Sequence, residues 1–197
     1  ELAATCTAPK LVVQLAKPRP ARRTQYLPLA VRSYYSFLNS TLSVDAIVAL
    51  AKTHGLSAIA LTDCGNLHGA VEFALATRQA GIKPILGAEV KVDGRQLWLY
   101  VENVTGYQNL CRLLSLRGQR HEDSASRDDN YQLTELDGLT DGLLAVSGDT
   151  RWAEHFPGRF YQALTSLEEL KCGGDDHLPG VPVLPVQYAQ PSDRWKF

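Results

Sequence analysis

Residues 57–92 read SAIALTDCGNLHGAVEFALATRQAGIKPILGAEVKV, and this stretch decides the fold. Ser57–Leu61 is short and almost wholly apolar, as expected of a strand buried on both faces. His68–Ala80 has the length of a helix, and Gly81 is placed to end it. We expect four residues on the inner side of this helix: Val71, Phe73, Leu75 and Ala76. Lys83–Gly87 is the next strand, so the stretch predicts two parallel strands joined by a crossover helix.

The same alternation continues on both sides. Upstream, Leu27–Val31 is a strand candidate, and Ser43 is placed to cap a helix that stops at Gly55. Downstream, Asp93-Gly94 predicts a type I′ turn between strands Val90–Val92 and Gln96–Val101. The remaining expected elements are helix Thr105–Leu116, strands Leu143–Val146, Arg159–Leu164 and Val181–Val186, and a short helix to Leu170 capped by Thr165 or Ser166. The fold class is therefore predicted as α/β, with a parallel sheet closed or nearly closed into a barrel.

Composition limits the class of protein. The chain has 197 residues, 45% of them hydrophobic and 21% charged, with a formal net charge of −1. These values fit one globular domain and exclude coiled coil, collagen and full disorder. Five bases and one acid fall in residues 1–23. We therefore expect a basic linker or tail over residues 1–25, a domain over 26–197, and a mobile polar loop at about 119–130.

Other absences in the sequence give expectations about location and origin. The four cysteines are scattered without a CxxC pair, which argues against a zinc knuckle or a secreted disulfide scaffold. No apolar run approaches the length of a membrane span, and no leader-like stretch is present, so a cytoplasmic protein is expected. The chain contains no methionine, so we expect it to be a piece of a longer protein.

In barrels of this kind, catalytic and binding groups lie at the carboxyl ends of the strands, because the loops there converge on one mouth. This rule selects five short stretches as the place to look for a site: Ala30–Ser33, Thr62–Cys64, Gly87–Glu89, Ser147–Asp149 and Val186–Tyr188.

Several motifs resemble those of the PHP (polymerase and histidinol phosphatase) family. LAVRSYYSFL at 29–38 resembles the family's H-x-H-S-x-Y-S-x-L, and ALTDCGNLHGAVEF at 60–73 resembles A-x-T-D-H-x-x-L-x-G-x-x-x-F. GIKPILGAE at 81–89 and ENVTGYQNLCRLLS at 102–115 resemble the PHP domains of bacterial DNA polymerase III alpha subunits and error-prone polymerases. The resemblance implies a distorted TIM-like (β/α)7 barrel, either complete or incomplete at the C-terminus.

The resemblance breaks down at the family's metal ligands. Active members hold about three metal ions, which activate water for phosphoester cleavage. At the corresponding positions this chain lacks the family's histidines, and the vestigial positions are Ala30, Arg32, Asp63, Cys64, Glu89, Gln96, Asp149 and Gln187. Arginine is a permanent cation and would repel a metal. We therefore expect no cofactor; the alternative is a single Zn or Mn ion held by Asp63, Glu89 and Cys64.

Arg32 suggests what replaces the metals. Its guanidinium is expected to form an ion pair with Asp63 or Glu89, so that a side-chain cation takes over the charge neutralisation that metal ions supply in active members.

Three functions follow from the resemblance and its departures. The first is a metal-free, catalytically inactive module of a DNA polymerase III alpha or error-prone type protein, acting in replication or translesion repair. Its partners would be polymerase domains or other replication and repair subunits, with DNA involved only indirectly and no membrane. The second is a metal-dependent phosphoesterase or 3′–5′ exonuclease with an altered site. The third is a phosphate- or nucleotide-binding module in which Arg32 reads the anion.

Overall fold

A computed structural model describes residues 26–120, 130–173, 177–190 and 192–193. The expected basic tail over 1–25 lies outside these residues. Four α-helices are described: α1 Val44–Thr53, α2 Ala70–Ala80, α3 Val104–Arg120 and α4 Leu167–Cys172. Seven strands are described: β1 Ala58–Cys64, β2 Lys83–Val92, β3 Arg95–Val101, β4 Asn130–Tyr131, β5 Leu143–Ser147, β6 Phe160–Leu164 and β7 Gly180–Pro182. Short 3₁₀ helices occupy Leu133–Leu136 and Thr150–His155.

The strands form one mixed sheet in the order β1-β2-β3-β5-β6-β7, with β4 paired to β2 outside this path. The α/β class is confirmed, and within an otherwise parallel sheet β3 is antiparallel to both β2 and β5. The cause is the predicted hairpin turn. Asp93 and Gly94 have φ angles of 47° and 73°, as a type I′ turn requires, so the chain reverses at once without a crossover.

The sheet curls, and backbone hydrogen bonds join its two ends. The Thr62 N–H donates to the carbonyl of Val31 over 2.8 Å, and the Arg32 N–H donates to the carbonyl of Val186 over 3.0 Å. Segment 28–32 therefore lies between β1 and the chain after β7, and it completes a ring of seven members among the described residues. We call the contact between segment 28–32 and residues 183–189 the seam.

The seam departs from regular strand structure on both sides. Leu27–Val31 and Val181–Val186 are strand candidates in the sequence, but Val31 and Val186 form only an isolated bridge, and β7 ends at Pro182. Proline has no backbone N–H to donate to a neighbouring strand. Pro28 on one side, with Pro182 and Pro185 on the other, therefore interrupts the hydrogen-bond ladder that a regular strand needs.

Three apolar clusters hold the fold together. The first fills the inside of the ring with Ala30, Ala60, Trp98, Tyr100, Val146, Ala163 and Val183. The second lies outside the sheet beneath α1 and α2, and the third packs against α3. Ser43 caps α1 as predicted, by accepting a hydrogen bond from the Ala46 N–H, and Gly55 follows the helix with φ 63°.

The prediction for α2 is wrong on two of its four inner residues. Phe73 is fully buried, but Val71 and Leu75 are 65% and 55% exposed. The buried residues of this helix are Ala70, Phe73 and Thr77, which share one face at 3.6 residues per turn. A buried threonine is tolerated because its hydroxyl donates to the Phe73 carbonyl over 2.6 Å.

Most of the expected polar loop at about 119–130 lies outside the described residues. Of the described residues near it, Gln119 and Arg120 belong to α3, and Asn130 begins β4. None of the helices in the described part of the chain has the length and apolar character needed to cross a membrane.

Candidate functional site

The carboxyl ends of the ring members converge as expected, and they bring most of the predicted site residues to one mouth. Arg32 is the last residue of segment 28–32, Asp63 and Cys64 end β1, and Glu89 lies beside Cys64 in the register of β2. Gln96 reaches the same place from the opposite direction, because it stands at the start of the antiparallel strand β3. The mouth therefore contains side chains from four consecutive members of the ring.

At the centre of the mouth, Arg32 and Glu89 form a buried ion pair. The Arg32 Nε donates to Glu89 Oε2 over 2.9 Å, and Nη2 lies 2.8 and 2.7 Å from Oε1 and Oε2. The Gln96 amide donates to Glu89 Oε1 over 2.6 Å. Arg32 and Glu89 are only 8% and 9% exposed. The predicted ion pair is thus confirmed, with Glu89 and not Asp63 as the acceptor.

Asp63 is held by hydroxyl and amide donors. It is 1% exposed, and its Oδ1 accepts hydrogen bonds from the Ser33 N–H and the Ser36 hydroxyl, each over 2.7 Å. The Ser33 hydroxyl donates to Oδ2 over 2.8 Å. Hydrogen bonding of this kind is what a buried carboxylate needs in order to be tolerated away from water. Both oxygens of Asp63 are therefore already engaged.

The sequence analysis did not assign roles to Ser33, Ser36 or Ser40. Ser33 and Ser36 bind Asp63, and the Ser40 hydroxyl lies 2.7 and 2.8 Å from the carbonyl oxygens of Arg32 and Gln187. Ser40 thereby ties the two sides of the seam together. One feature of the sequence could have indicated this role: Ser33 and Ser36 stand three residues apart directly after Arg32. This spacing lets a single turn present both hydroxyls to the same acceptor.

Cys64 is half-buried at the edge of the mouth. Burial raises the pKa of its thiol, and the negative charge of Glu89 raises this pKa further. A metal-binding cysteine must instead lose its proton readily, because the thiolate is the ligand. The environment of Cys64 therefore favours the neutral thiol.

We expect Cys64 to react slowly with iodoacetamide, with the midpoint of its pH–rate profile above that of an ordinary thiol. Because the thiolate is the reactive form, raising the pKa lowers its population at pH 8. The measurement is mass-spectrometric alkylation of the chain over pH 7–10 with the other three cysteines replaced by alanine. Glu89→Gln removes the nearby negative charge and is expected to move the midpoint down. A midpoint at or below that of a free cysteine peptide would contradict this.

Asp149 belongs to the opposite side of the mouth, where it pairs with an arginine of its own. Its carboxylate accepts from Arg151 Nε over 3.0 and 3.1 Å and from Nη2 over 2.6 Å. The hydrogen bond from Arg151 lowers the pKa of Asp149. A cleft of about 700 Å³ lies beside this pair, and its lining includes Arg95, Gln96 and Trp98.

The two remaining predicted positions cannot offer the ligands of active family members. Ala30 faces the inside of the ring at 1% exposure, and its methyl group has no donor atom. Gln187 is partly buried at the seam, and its backbone carbonyl accepts from the Thr41 N–H over 3.1 Å.

The donor set does not fit a cluster of metal ions. Both oxygens of Glu89 are bound to Arg32, both oxygens of Asp63 accept hydrogen bonds from serines, and Asp149 is bound to Arg151. Within the described ranges, no group of three or more His, Cys, Asp or Glu residues is arranged to hold a metal ion. A guanidinium at the centre of the mouth also repels divalent cations. In this mouth the carboxylates of Glu89 and Asp149 are each paired with an arginine side chain.

Comparison with known proteins relates this chain to one domain family and to regions of bacterial DNA polymerases. The family model described as "PHP domain" matches residues 28–169. The chain is 34% identical over 190 residues to an error-prone DNA polymerase of Symbiobacterium thermophilum, which covers 79% of this chain and 17% of that protein. It is 37% identical over 158 residues to an error-prone DNA polymerase of Pseudomonas fluorescens, covering 77% of this chain and 15% of that protein.

A DNA polymerase III subunit alpha of Rickettsia felis is 35% identical over 129 residues, covering 63% of this chain and 10% of that protein. The chain thus spans less than a fifth of the length of these curated relatives. Among solved structures, an amidohydrolase from Chromobacterium violaceum matches with a TM-score of 0.57 at 15% identity, covering 83% of this chain and 88% of that one. This likeness concerns the fold, and it supports the distorted TIM-like barrel.

Proposed function

Because this chain belongs to the PHP domain family, we propose that it is a metal-free, catalytically inactive PHP module of a polymerase III alpha or error-prone type protein. Its role is structural: it supports polymerase domains or other replication and repair subunits, and it acts on DNA only through them. Similarity to regions of DNA polymerases supports the association with replication or translesion repair.

The observation that carries the proposal is the Arg32–Glu89 ion pair. Arg32 belongs to segment 28–32 and Glu89 belongs to β2, so the pair bridges over β1, and Gln96 adds β3 to the same network. Bidentate contact of a guanidinium with a carboxylate fixes geometry as well as charge. The network therefore holds the mouth in one arrangement without a metal ion.

Metal content tests the proposal directly. After dialysis against Zn²⁺ or Mn²⁺ and removal of free ions, we expect the unmodified chain to retain only traces by inductively coupled plasma mass spectrometry. Restoring histidines together through Ala30→His, Arg32→His, Cys64→His, Gln96→His and Gln187→His is expected to be required for tight binding. Each single replacement is the control and should stay metal-free, because the other positions still lack ligands.

Two other outcomes would overturn the proposal in favour of the alternatives. Two or more tightly held ions per unmodified chain, with p-nitrophenyl phosphate hydrolysis that Asp63→Asn abolishes, would indicate a phosphoesterase or exonuclease. Saturable binding of inorganic phosphate that Arg32→Ala abolishes and Arg151→Ala does not would indicate an anion-binding module.

A further inference from the structure

A loop at the mouth holds two large apolar side chains in water. Residues 33–40 form this loop, which we call the mouth loop, between segment 28–32 and α1. Phe37 and Leu38 are adjacent in it and are 81% and 72% exposed. Two neighbouring side chains of this size form an apolar tip of the kind that a protein interface buries.

The backbone of the mouth loop gives a second observation. Leu38 has a φ angle of 58°, in the left-handed region that glycine and asparagine adopt more readily than leucine. Backbone strain of this kind persists only where the surroundings impose it, and it concentrates at functional sites. In the domain by itself, leucine is therefore unfavourable at this position both for its backbone conformation and for its exposure.

Hydrogen bonds within the mouth loop hold the apolar tip in place. The Ser36 N–H donates to the Ser33 carbonyl over 2.9 Å, and the Asn39 N–H donates to the Ser36 carbonyl over 2.8 Å. The Asn39 amide also donates to the carbonyl of Phe37 over 3.2 Å. A loop that is already ordered loses little conformational entropy when it binds, so this loop is suited to docking.

A cationic pocket of about 380 Å³ lies beside the mouth loop, with Asn39 in its wall. Its lining contains three cations, Arg32, Lys91 and Arg117, and one carboxylate, that of Glu89. Since Glu89 is already paired with Arg32, the pocket has an excess of two positive charges. A pocket with this charge attracts the carboxylates of a partner.

We propose that the mouth loop and the cationic pocket together form a docking site for an acidic segment of a partner protein. Apolar side chains of that segment cover Phe37 and Leu38, and its carboxylates enter the pocket beside Lys91 and Arg117. Contact with the partner then offsets the cost of an exposed leucine in a left-handed conformation. The inference rests on the proposed function, because a module that supports other subunits needs a surface for them, and it names the chemistry of that partner.

Peptide display on the whole chain tests the proposal. Short random peptides displayed on phage are selected on the immobilised protein, and the recovered sequences are compared with the unselected library. We expect the recovered peptides to be enriched in aspartate and glutamate next to apolar residues. The affinity of a recovered peptide, measured by fluorescence anisotropy, should fall as NaCl is added, because salt screens its carboxylates from the pocket.

Variants of the chain separate docking from folding. Asparagine adopts the left-handed conformation readily, so Leu38→Asn should melt at the same temperature or higher, yet bind a recovered peptide about tenfold or more weakly. Lys91→Glu reverses a charge of the pocket and should weaken binding by a similar factor. Val104→Asn, at a position 73% exposed at the start of α3, and Lys83→Glu, at the other end of β2, are the matched controls and should bind as the unmodified chain does.

Recovery of no peptide, recovery of peptides without acidic residues, or binding that survives Leu38→Asn would each overturn the proposal. A lower melting temperature for Leu38→Asn would do the same, since Leu38 would then serve the fold. Binding of a labelled thymidine oligonucleotide that Lys91→Glu abolishes, without any peptide recovered, would assign the surface to single-stranded DNA instead. Metal ions retained by the unmodified chain overturn the proposed function and not the peptide result, so the two failures are distinguishable.

Discussion

Replacing Arg32 with alanine is expected to lower the free energy of unfolding by about 3–5 kcal/mol, the usual cost of leaving a buried charge without its partner. Glu89 would keep only the hydrogen bond from Gln96, and at 9% exposure it could not recover its lost partner from water. Urea denaturation followed by circular dichroism measures the change, and the slope of the transition shows whether the unfolded reference is unaltered.

Two further variants show whether the loss of stability comes from leaving Glu89 as an unpaired buried charge. Arg32→Met with Glu89→Leu removes both charges, and it should cost clearly less than Arg32→Ala alone, because no unpaired charge remains. Arg151→Ala breaks the ion pair with Asp149 on the exposed side of the mouth and should change stability little, since water screens that pair. A loss below about 0.5 kcal/mol for Arg32→Ala would mean that the guanidinium does not stabilise the fold. It would contradict the claim that the Arg32–Glu89 ion pair holds the mouth together.

Replacing Gly106 with alanine is expected to cost about 3 kcal/mol or more, although alanine is the better helix former. Gly106 lies in the first turn of α3, where a Cβ atom would overlap the backbone carbonyl of Gly142. The Glu102 N–H donates to that same carbonyl over 2.9 Å, and the Asn109 amide donates to the carbonyl of Asp141 over 2.9 Å. The overlap can be relieved only by moving α3 away from this backbone and stretching both bonds.

Thermal unfolding measures this effect, and we expect a melting temperature lower by roughly 6–12 °C for a domain of this size. Gly148→Ala is the matched control, because Gly148 has ordinary φ and open space where its Cβ would be placed, so its melting temperature should hardly change. If both variants melt alike, the close contact between α3 and Gly142 does not exist in solution.

The sequence predicts what depends on local pattern or on the chemistry of one residue. Type I′ turn chemistry at Asp93-Gly94 and the cap at Ser43 are local, and both are confirmed. The pairing of Arg32 could be predicted because a guanidinium at a strand end needs a carboxylate. That Arg32 pairs with Glu89 and not with Asp63 could not be predicted. The oxygens of Asp63 already accept hydrogen bonds from the Ser33 N–H and from the hydroxyls of Ser33 and Ser36, and this depends on the folded structure.

The errors have a common physical origin in the three-dimensional packing. Val71 and Leu75 are apolar, so the pattern placed them inside, but the stripe that packs on the sheet runs through Ala70, Phe73 and Thr77. Which of two apolar faces becomes buried is decided by the neighbours of the helix. In the same way, the irregular seam follows from prolines on both sides, and their combined effect appears only when those two distant stretches lie side by side.

The bridge between Val31 and Val186 also has a consequence for synthesis. A ribosome releases the chain from its N-terminal end, so the first member of the ring must wait for nearly the whole domain to emerge before its partner exists. Until then segment 28–32 has a partner only on its β1 side, and unpaired strand edges are templates for association with other chains. Nascent copies of this domain are therefore most exposed to misassembly, and most in need of a chaperone, just before residue 186 leaves the exit tunnel.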